Sequence, residues 1–305
     1  MFLADTHADT LYAMGVDHRE SPTITPDRLR AGGVSLQTLA LWTGGLGSKG
    51  DVDGIVWAEL AAVPQLIAAG LRQVDDPAEV QPGEHCFMLS VEGGEVFESG
   101  IESVAAWREK GVRMAALTWN HENAIGSPAK GGSTEKLKPY GIQAVREMQR
   151  VGIAVDTSHL NEAGFYDLFD RTDRVPMASH SCCRALCDHA RNLTDDQIRL
   201  LIREKGYIGV NFYPFFLAED GKADRATVVR HIDRIVQMGG DGIVGFGSDF
   251  DGIECAPAGL TSPLDFPALV EDLRALGYSE RTIEGIAGEN LRAYFRRIRP
   301  EGEQR

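Results

Sequence analysis

The chain has 305 residues, 43% of them hydrophobic, which is enough for a sizeable core and within the length at which an α/β barrel forms one domain, so a single domain over residues 1–305 is expected. A formal net charge of -14 and a pI near 5.0 do not suit a surface that must gather Lys and Arg against phosphates; nucleic acid is excluded as an expected partner and small molecules remain. Met1 leads straight into FLADTHAD, without a basic stretch or an apolar signal core, and no run reaches about 18 apolar residues, so a cytoplasmic protein with no membrane partner is expected.

Apolar runs that read as strands alternate with amphipathic stretches that read as helices, the pattern of repeated βαβ units around a parallel sheet. Strands are expected at 2–6 and 34–42, followed by a helix at 51–71. The alternation continues with a strand at 86–91 and a helix at 99–110, then 112–118 with 138–151, 153–157 with 161–172, 175–179 with 195–205, and 207–212 with 224–239. An eighth strand at 242–247 precedes two last helices, 263–277 and 279–298. Asn161, Thr194 and Ser279 stand where a side-chain oxygen can accept from the free amides of a helix start, each with acidic residues in the first turn. Gly111, Gly152, Gly206 and Gly239 follow helical runs as C-terminal caps should. The Gly-rich stretches TGGLGSKGD and SPAKGGST follow the second and fourth strands and read as loops beside a site; the tail from about 299 to 305 reads as flexible. The five cysteines, Cys86, Cys182, Cys183, Cys187 and Cys255, are odd in number and bunched in SCCRALC. Reduced, partly buried thiols are the first reading, against a zinc site that would lack its second pair.

In a parallel α/β barrel the C-terminal strand ends converge on the face where the βα loops build the site. The runs FLADTHAD, CFMLSVEGG, GIAVDTSH and VPMASHS carry His7, Asp9, Glu92, His159 and His180 at or just past such ends. Each is ordinary alone: an HxD pair recurs by chance, and a strand-end histidine is often a hydrogen-bonded structural residue. Together, two carboxylates and three imidazoles suit one or two divalent cations. Residues i and i+2 of an extended segment face one side, and histidines on neighbouring strands about 4.8 Å apart can share an ion. Gly93 and Gly94 would let backbone pass close to Glu92, whose buried charge a cation would offset. In GIVGFGSDFDG, Asp251 reads as a turn residue before Gly252, and Asp249 is better placed to move a proton beside a metal. A metal-dependent hydrolase is the reading.

DTHAD, SVEGG, VDTSH, ASHS with RN eleven residues on, VNFY and GFGSDFDG, in this order along nearly the whole chain, resemble the motifs of the membrane (renal) dipeptidase family in its bacterial form. The resemblance implies a (β/α)8 TIM-like, amidohydrolase-like barrel with two zinc ions, one held by His7 and Asp9 and the other by His159 and His180, with Glu92 bridging. It implies Asp249 as general acid/base and Arg191 as the holder of the substrate's C-terminal carboxylate, a task that suits a planar guanidinium. The reaction implied is hydrolysis of a dipeptide by a hydroxide shared between the zinc ions, with tolerance for a D-residue at the C-terminal position. Two positions depart from the pattern. Trp119, in LTWNHEN, stands where the renal-type enzymes carry a histidine near the scissile carbonyl; either His121 takes over that role if the strand stays extended, or Trp119 walls the pocket. Phe216 stands where they carry a tyrosine beside the substrate, and Tyr213 is a nearby hydroxyl that is not equivalent. A related amide hydrolase on the same scaffold, acting on N-acyl amino acids or β-lactams, is the alternative, and a catalytically silent barrel a more distant one. The native metal and the oligomeric state, a homodimer included, stay open.

Overall fold

The computed structural model describes residues 1–44 and 50–299; most of the Gly-rich stretch TGGLGSKGD and nearly all of the tail expected to be flexible therefore lie outside the described residues. The strands are β1 (Ala4–Asp5), β2 (Leu36–Trp42), β3 (Arg72–Gln73), β4 (Cys86–Glu92), β5 (Val112–Ala116), β6 (Ala154–Asp156), β7 (Met177–Ala178), β8 (Tyr207–Val210) and β9 (Val244–Phe246). All pairings between them are parallel, in the order β2-β1-β9-β8-β7-β6-β5-β4, and the pairing of β2 with β4, Leu36 opposite Cys86 through Trp42 opposite Glu92, closes the ring. Eight strands thus form the expected barrel, with helices around it. The ninth, β3, pairs only with the start of β4, before β5 joins that strand at Leu89. It was not anticipated, because two polar residues carry no apolar signal.

The barrel strands are buried on both faces, which is why CFMLSVE reads as a continuous apolar run without alternation. Inside, Leu36, Met88, Met114, Met177 and Tyr207 pack against Leu291, Tyr294 and Phe295 of the C-terminal helix Asn290–Ile298. The Tyr294 hydroxyl donates to Val175 O, just ahead of β7. That helix therefore closes the end of the barrel where the strands begin, and leaves the opposite end open for a site. Among the described residues no helix is long and apolar enough to cross a membrane.

Asn161, Thr194 and Ser279 each accept an amide from the first turn of their helices, and Gly152 ends its helix at φ 81°. Two expected helices are interrupted. The first breaks into Val52–Leu60 and Val63–Ala68, since Pro64 lacks an amide hydrogen to continue the ladder. The last breaks into Glu280–Glu284 and Asn290–Ile298 across a wide turn at Gly285–Glu289. Cys182, Cys183 and Cys187 are buried thiols whose S–H groups meet the carbonyls of Asn211, His231 and Phe215. Burial raises the pKa of all three, Cys183 to about 12, which fits thiol rather than thiolate.

Candidate metal centre and active site

Glu92 is the last residue of β4, and three imidazoles close on its Oε1: His159 Nε2 at 2.9 Å, His180 Nε2 at 3.4 Å and His7 Nε2 at 3.7 Å. His159 Nε2 and His180 Nε2 are 3.1 Å apart. His7 Nε2 also lies 3.4 Å from Asp9 Oδ2 and 3.7 Å from Asp249 Oδ1. Two donor groups emerge, His7 with Glu92 and His180, and His7 with Asp9 and Asp249.

Local backbone explains how distant segments meet. The amide of Asp249 donates to His7 O at 3.0 Å and that of Asp9 to Phe250 O at 2.9 Å, so the chain after β1 and the chain after β9 run zipped together past the barrel rim. His159 and Asp249 have φ of 68° and 66°, left-handed values that non-glycine residues adopt at a cost and that turn both side chains inward. A Cβ on Gly252 would stand 2.0 Å from Asp9 Oδ2 and 2.8 Å from Asp249 Oδ1, so only glycine lets the backbone press against both carboxylates.

A second layer aims the rings, and apart from Asp251, read as a turn residue, sequence reasoning did not single it out. Asp156 Oδ1 accepts the amides of Ser158 and Ser179 at 2.9 Å each, and Asp156 Oδ2 accepts the Ser179 hydroxyl. Ser179 Oγ lies 2.7 Å from His180 Nδ1, which fixes Nδ1 as the protonated nitrogen and leaves the Nε2 lone pair facing Glu92. Asn120 Oδ1 sits 3.3 Å from His159 Nδ1. Asn211 donates to Asp249 Oδ2 at 2.9 Å. Asp5 is wholly buried and accepts from Ser248 Oγ at 2.5 Å and Gln37 Nε2 at 3.0 Å. Asp251 accepts from the Thr10 hydroxyl at 2.8 Å and the Thr23 amide at 2.6 Å, holding the segment after β1 to the rim. The only advance signals were Asp three residues before His in VDTSH and the serine preceding each histidine.

Burial, with Asp9 and Asp249 close by, holds Glu92 well above the usual carboxylate range. Burial also lifts Asp249, with Asp9 adding to it, to about 7. Burial holds His159 and His180 well below the usual imidazole range. His7 goes the other way: burial lowers it, but Glu92 and Asp9 outweigh that and carry it to about 10. Three carboxylates crowded in a buried space ask for compensating positive charge, and Nε2 of His7 and Oδ1 of Asp9 are buried without a hydrogen-bond partner among the described residues. Such a donor set, imidazole and carboxylate with orphaned lone pairs, fits divalent cations.

The cluster forms one wall of a cavity of about 750 Å³. Trp119, Arg191, Tyr213 and Phe216 line it, as do Tyr12, Trp42, Lys130 and His189. Arg191 is 6% exposed; among the described residues its guanidinium donates to His180 O at 3.4 Å and its Nε has no partner. The Phe216 ring lies 5.5 Å from the guanidinium carbon, where the renal-type hydroxyl would be absent. His121 does not join this set. β5 ends at Ala116, the chain then bends, and His121 is exposed with its ring 5.9 Å from that of Trp119; the condition for its pointing inward is not met.

Residues 1–301 match the family model of membrane dipeptidases, peptidase family M19. A Klebsiella pneumoniae protein described only as uncharacterized and lying in the pqqA 5' region is 34% identical over 79% of this chain and 95% of its own length. An uncharacterized dipeptidase of Schizosaccharomyces pombe is 34% identical over 68% of this chain; the match spans 52% of that longer protein. A Rhodobacter sphaeroides metallopeptidase, solved with a phosphinate mimic of the dipeptide L-Ala-D-Ala, shares the fold at a TM-score of 0.88 and 24% identity over 98% of this chain and 99% of its own. The match along the whole chain joins the closed barrel and the buried carboxylate–imidazole cluster in one conclusion: this chain belongs to the membrane dipeptidase family, peptidase family M19, and is a metallopeptidase.

Proposed function

We propose that this chain, acting as one hydrolase domain over residues 1–305, cleaves the peptide bond of dipeptides that carry a free C-terminal carboxylate. Two zinc ions would be held at the cluster, one by His7 and Asp9 and the other by His159 and His180, with Glu92 between them. When bound, the ions lower the pKa of water toward neutrality and polarise the scissile carbonyl.

The chain's own groups supply the rest. Arg191, buried and without a carboxylate partner among the described residues, holds the substrate carboxylate at a set distance from the cluster and so favours short substrates over proteins. Asp249, oriented by Asn211, accepts a proton from the attacking water and returns it to the departing amine. Trp119 acts as wall. The convergence of three imidazoles on Glu92 Oε1 carries this reading.

The D-configured terminus of the ligand in the Rhodobacter structure, and the same tolerance implied by the motifs, put both stereoisomers into the test. Purified, zinc-loaded protein is assayed for metal content per chain and for turnover of Ala-L-Ala, Ala-D-Ala and N-acetyl-alanine. Two ions per chain with turnover of at least one dipeptide is the expected result. Turnover of the N-acyl substrate alone would replace dipeptidase with deacylase.

A further inference from the structure

The cavity has two ends of different chemistry. In the ring of eight strands β2 lies four places from β7 in either direction, so the segments that follow these strands face each other across the mouth. Arg191 belongs to the chain after β7. Across from it, Trp42 closes β2 and is the middle of an aromatic row: its indole meets Tyr12 edge-on, centroids 4.7 Å apart, and Trp119 edge-on at 5.0 Å. Trp119 in turn stands 6.0 Å from the His159 ring. All three side chains are half-buried and line the cavity.

This row is built to stay in place. The Trp42 amide donates to Oε1 of Glu59 at 3.0 Å, and Glu59 is wholly buried beneath it on the helix Val52–Leu60. Edge-to-face rings resist being turned, because each edge sits on the negative face of its neighbour. Apart from the Tyr12 hydroxyl and Trp42 Nε1, which is buried without a partner among the described residues, such a wall offers apolar area, most of it to a flat or bulky side chain.

A dipeptide is at most about 7 Å long between its ends. With its carboxylate on Arg191 and its peptide bond at the cluster, the N-terminal residue comes to lie on the far side, against Trp42 and Trp119. We propose that the Tyr12–Trp42–Trp119 row reads the side chain of the substrate's N-terminal residue and selects aromatic or branched aliphatic ones. This rests on the dipeptidase reading above.

The test uses four substrates with one C-terminal residue, Phe-Ala, Leu-Ala, Gly-Ala and Glu-Ala, in zinc-loaded protein. A hydrophobic pocket separates substrates by roughly 10-fold to 200-fold in kcat/KM, and wild type is expected to favour Phe-Ala and Leu-Ala over Gly-Ala and Glu-Ala within that range. In Trp42→Ala, and in Trp119→Leu as a milder variant whose melting is compared with wild type, the Phe-Ala to Gly-Ala ratio is expected to fall at least about tenfold. A ratio that survives both substitutions, or a wild type that prefers Gly-Ala or Glu-Ala, overturns the proposal. If wild type loaded with metal turns over none of the four, whether they end in L-Ala or in D-Ala, the dipeptidase reading fails instead. The row is then judged by titrating Phe-Ala and Gly-Ala against intrinsic tryptophan fluorescence: tighter binding of Phe-Ala that Trp119→Leu abolishes upholds it, and equal binding of the two dipeptides overturns it.

Discussion

Ser179 acts on Glu92 through His180, whose approach it decides. Its hydroxyl donates to Asp156, and its oxygen lies 2.7 Å from His180 Nδ1. Without that oxygen the wholly buried ring loses the contact that fixes its tautomer, and partners of this kind are worth about 10-fold to 100-fold in metal affinity. Ser179→Ala is therefore expected to weaken zinc binding by that factor in competition with a chromogenic chelator; unchanged affinity would reduce Ser179 to a packing residue. Asp249→Asn tests a different role. It keeps the side chain's size and its contact with Asn211 but cannot take a proton, so turnover is expected to fall by about 10²-fold to 10⁴-fold while bound metal stays the same. Metal lost in parallel with activity would make Asp249 a ligand, a role its 3.7 Å approach to His7 Nε2 leaves available. The clustered residues were legible in the sequence because a charged or imidazole side chain directly after an apolar strand is costly to bury at a barrel rim unless a ligand or an ion compensates it. Asp156, Ser179 and Asn211 were not, since polar residues at strand ends also satisfy backbone amides. The left-handed backbone of His159 and Asp249 could not be read either, since His and Asp take positive φ more often than other non-glycine residues but too rarely for identity alone to mark a position.

At the scale of elements, His231 ties three of them together. It lies on the helix Arg225–Ile235; its Nδ1 accepts the Cys183 amide at 3.1 Å, and its Nε2 donates to Leu217 O at 3.0 Å. The bond accepted by Nδ1 requires the neutral ring, and burial, with Arg230 and Arg234 near, lowers its pKa to about 4 from 6.5. Below pH 6.5 the unfolded chain takes up a proton here that the folded chain refuses until about pH 4. The contribution of this group is thus whole above pH 6.5 and declines as pH falls through that window, by about 1.4 kcal/mol per pH unit. Urea midpoints of chelator-treated wild type and His231→Gln at pH 7.5 and pH 5 check this. The variant is expected to be less stable at pH 7.5 and to lose less on acidification; parallel losses would show that another group sets the acid limit. The elements themselves were legible to different degrees. Doubly buried strands announce themselves as unbroken apolar runs, whereas β3, two polar residues on the outer edge of β4, has no such mark. The break between Val52–Leu60 and Val63–Ala68 could have been read from Pro64; the wide turn at Gly285–Glu289 could not, because its residues fit a helical face.

For the whole molecule the decisive quantity is how far folding depends on the cations. The folded chain gathers Asp9, Glu92 and Asp249 in one buried space, where burial disfavours the charges of Glu92 and Asp249, while the unfolded chain leaves all three in water. Cations that bind only the folded form stabilise it by about 4 kcal/mol when free metal is a thousandfold above the dissociation constant. A chain this long gains roughly 2–4 °C in Tm for each kcal/mol. Removing metal with a chelator is therefore expected to lower Tm by on the order of 10 °C, and adding zinc back to restore it. If Glu92 joins two sites, the recovery continues to two equivalents per chain and the second equivalent contributes measurably. In Glu92→Gln it is expected to stop short of two, because the remaining ligands divide into two pairs with no shared carboxylate between them. A wild-type curve that levels off at one equivalent would leave a mononuclear centre and return one of the pairs, His7 with Asp9 or His159 with His180, to a role without metal.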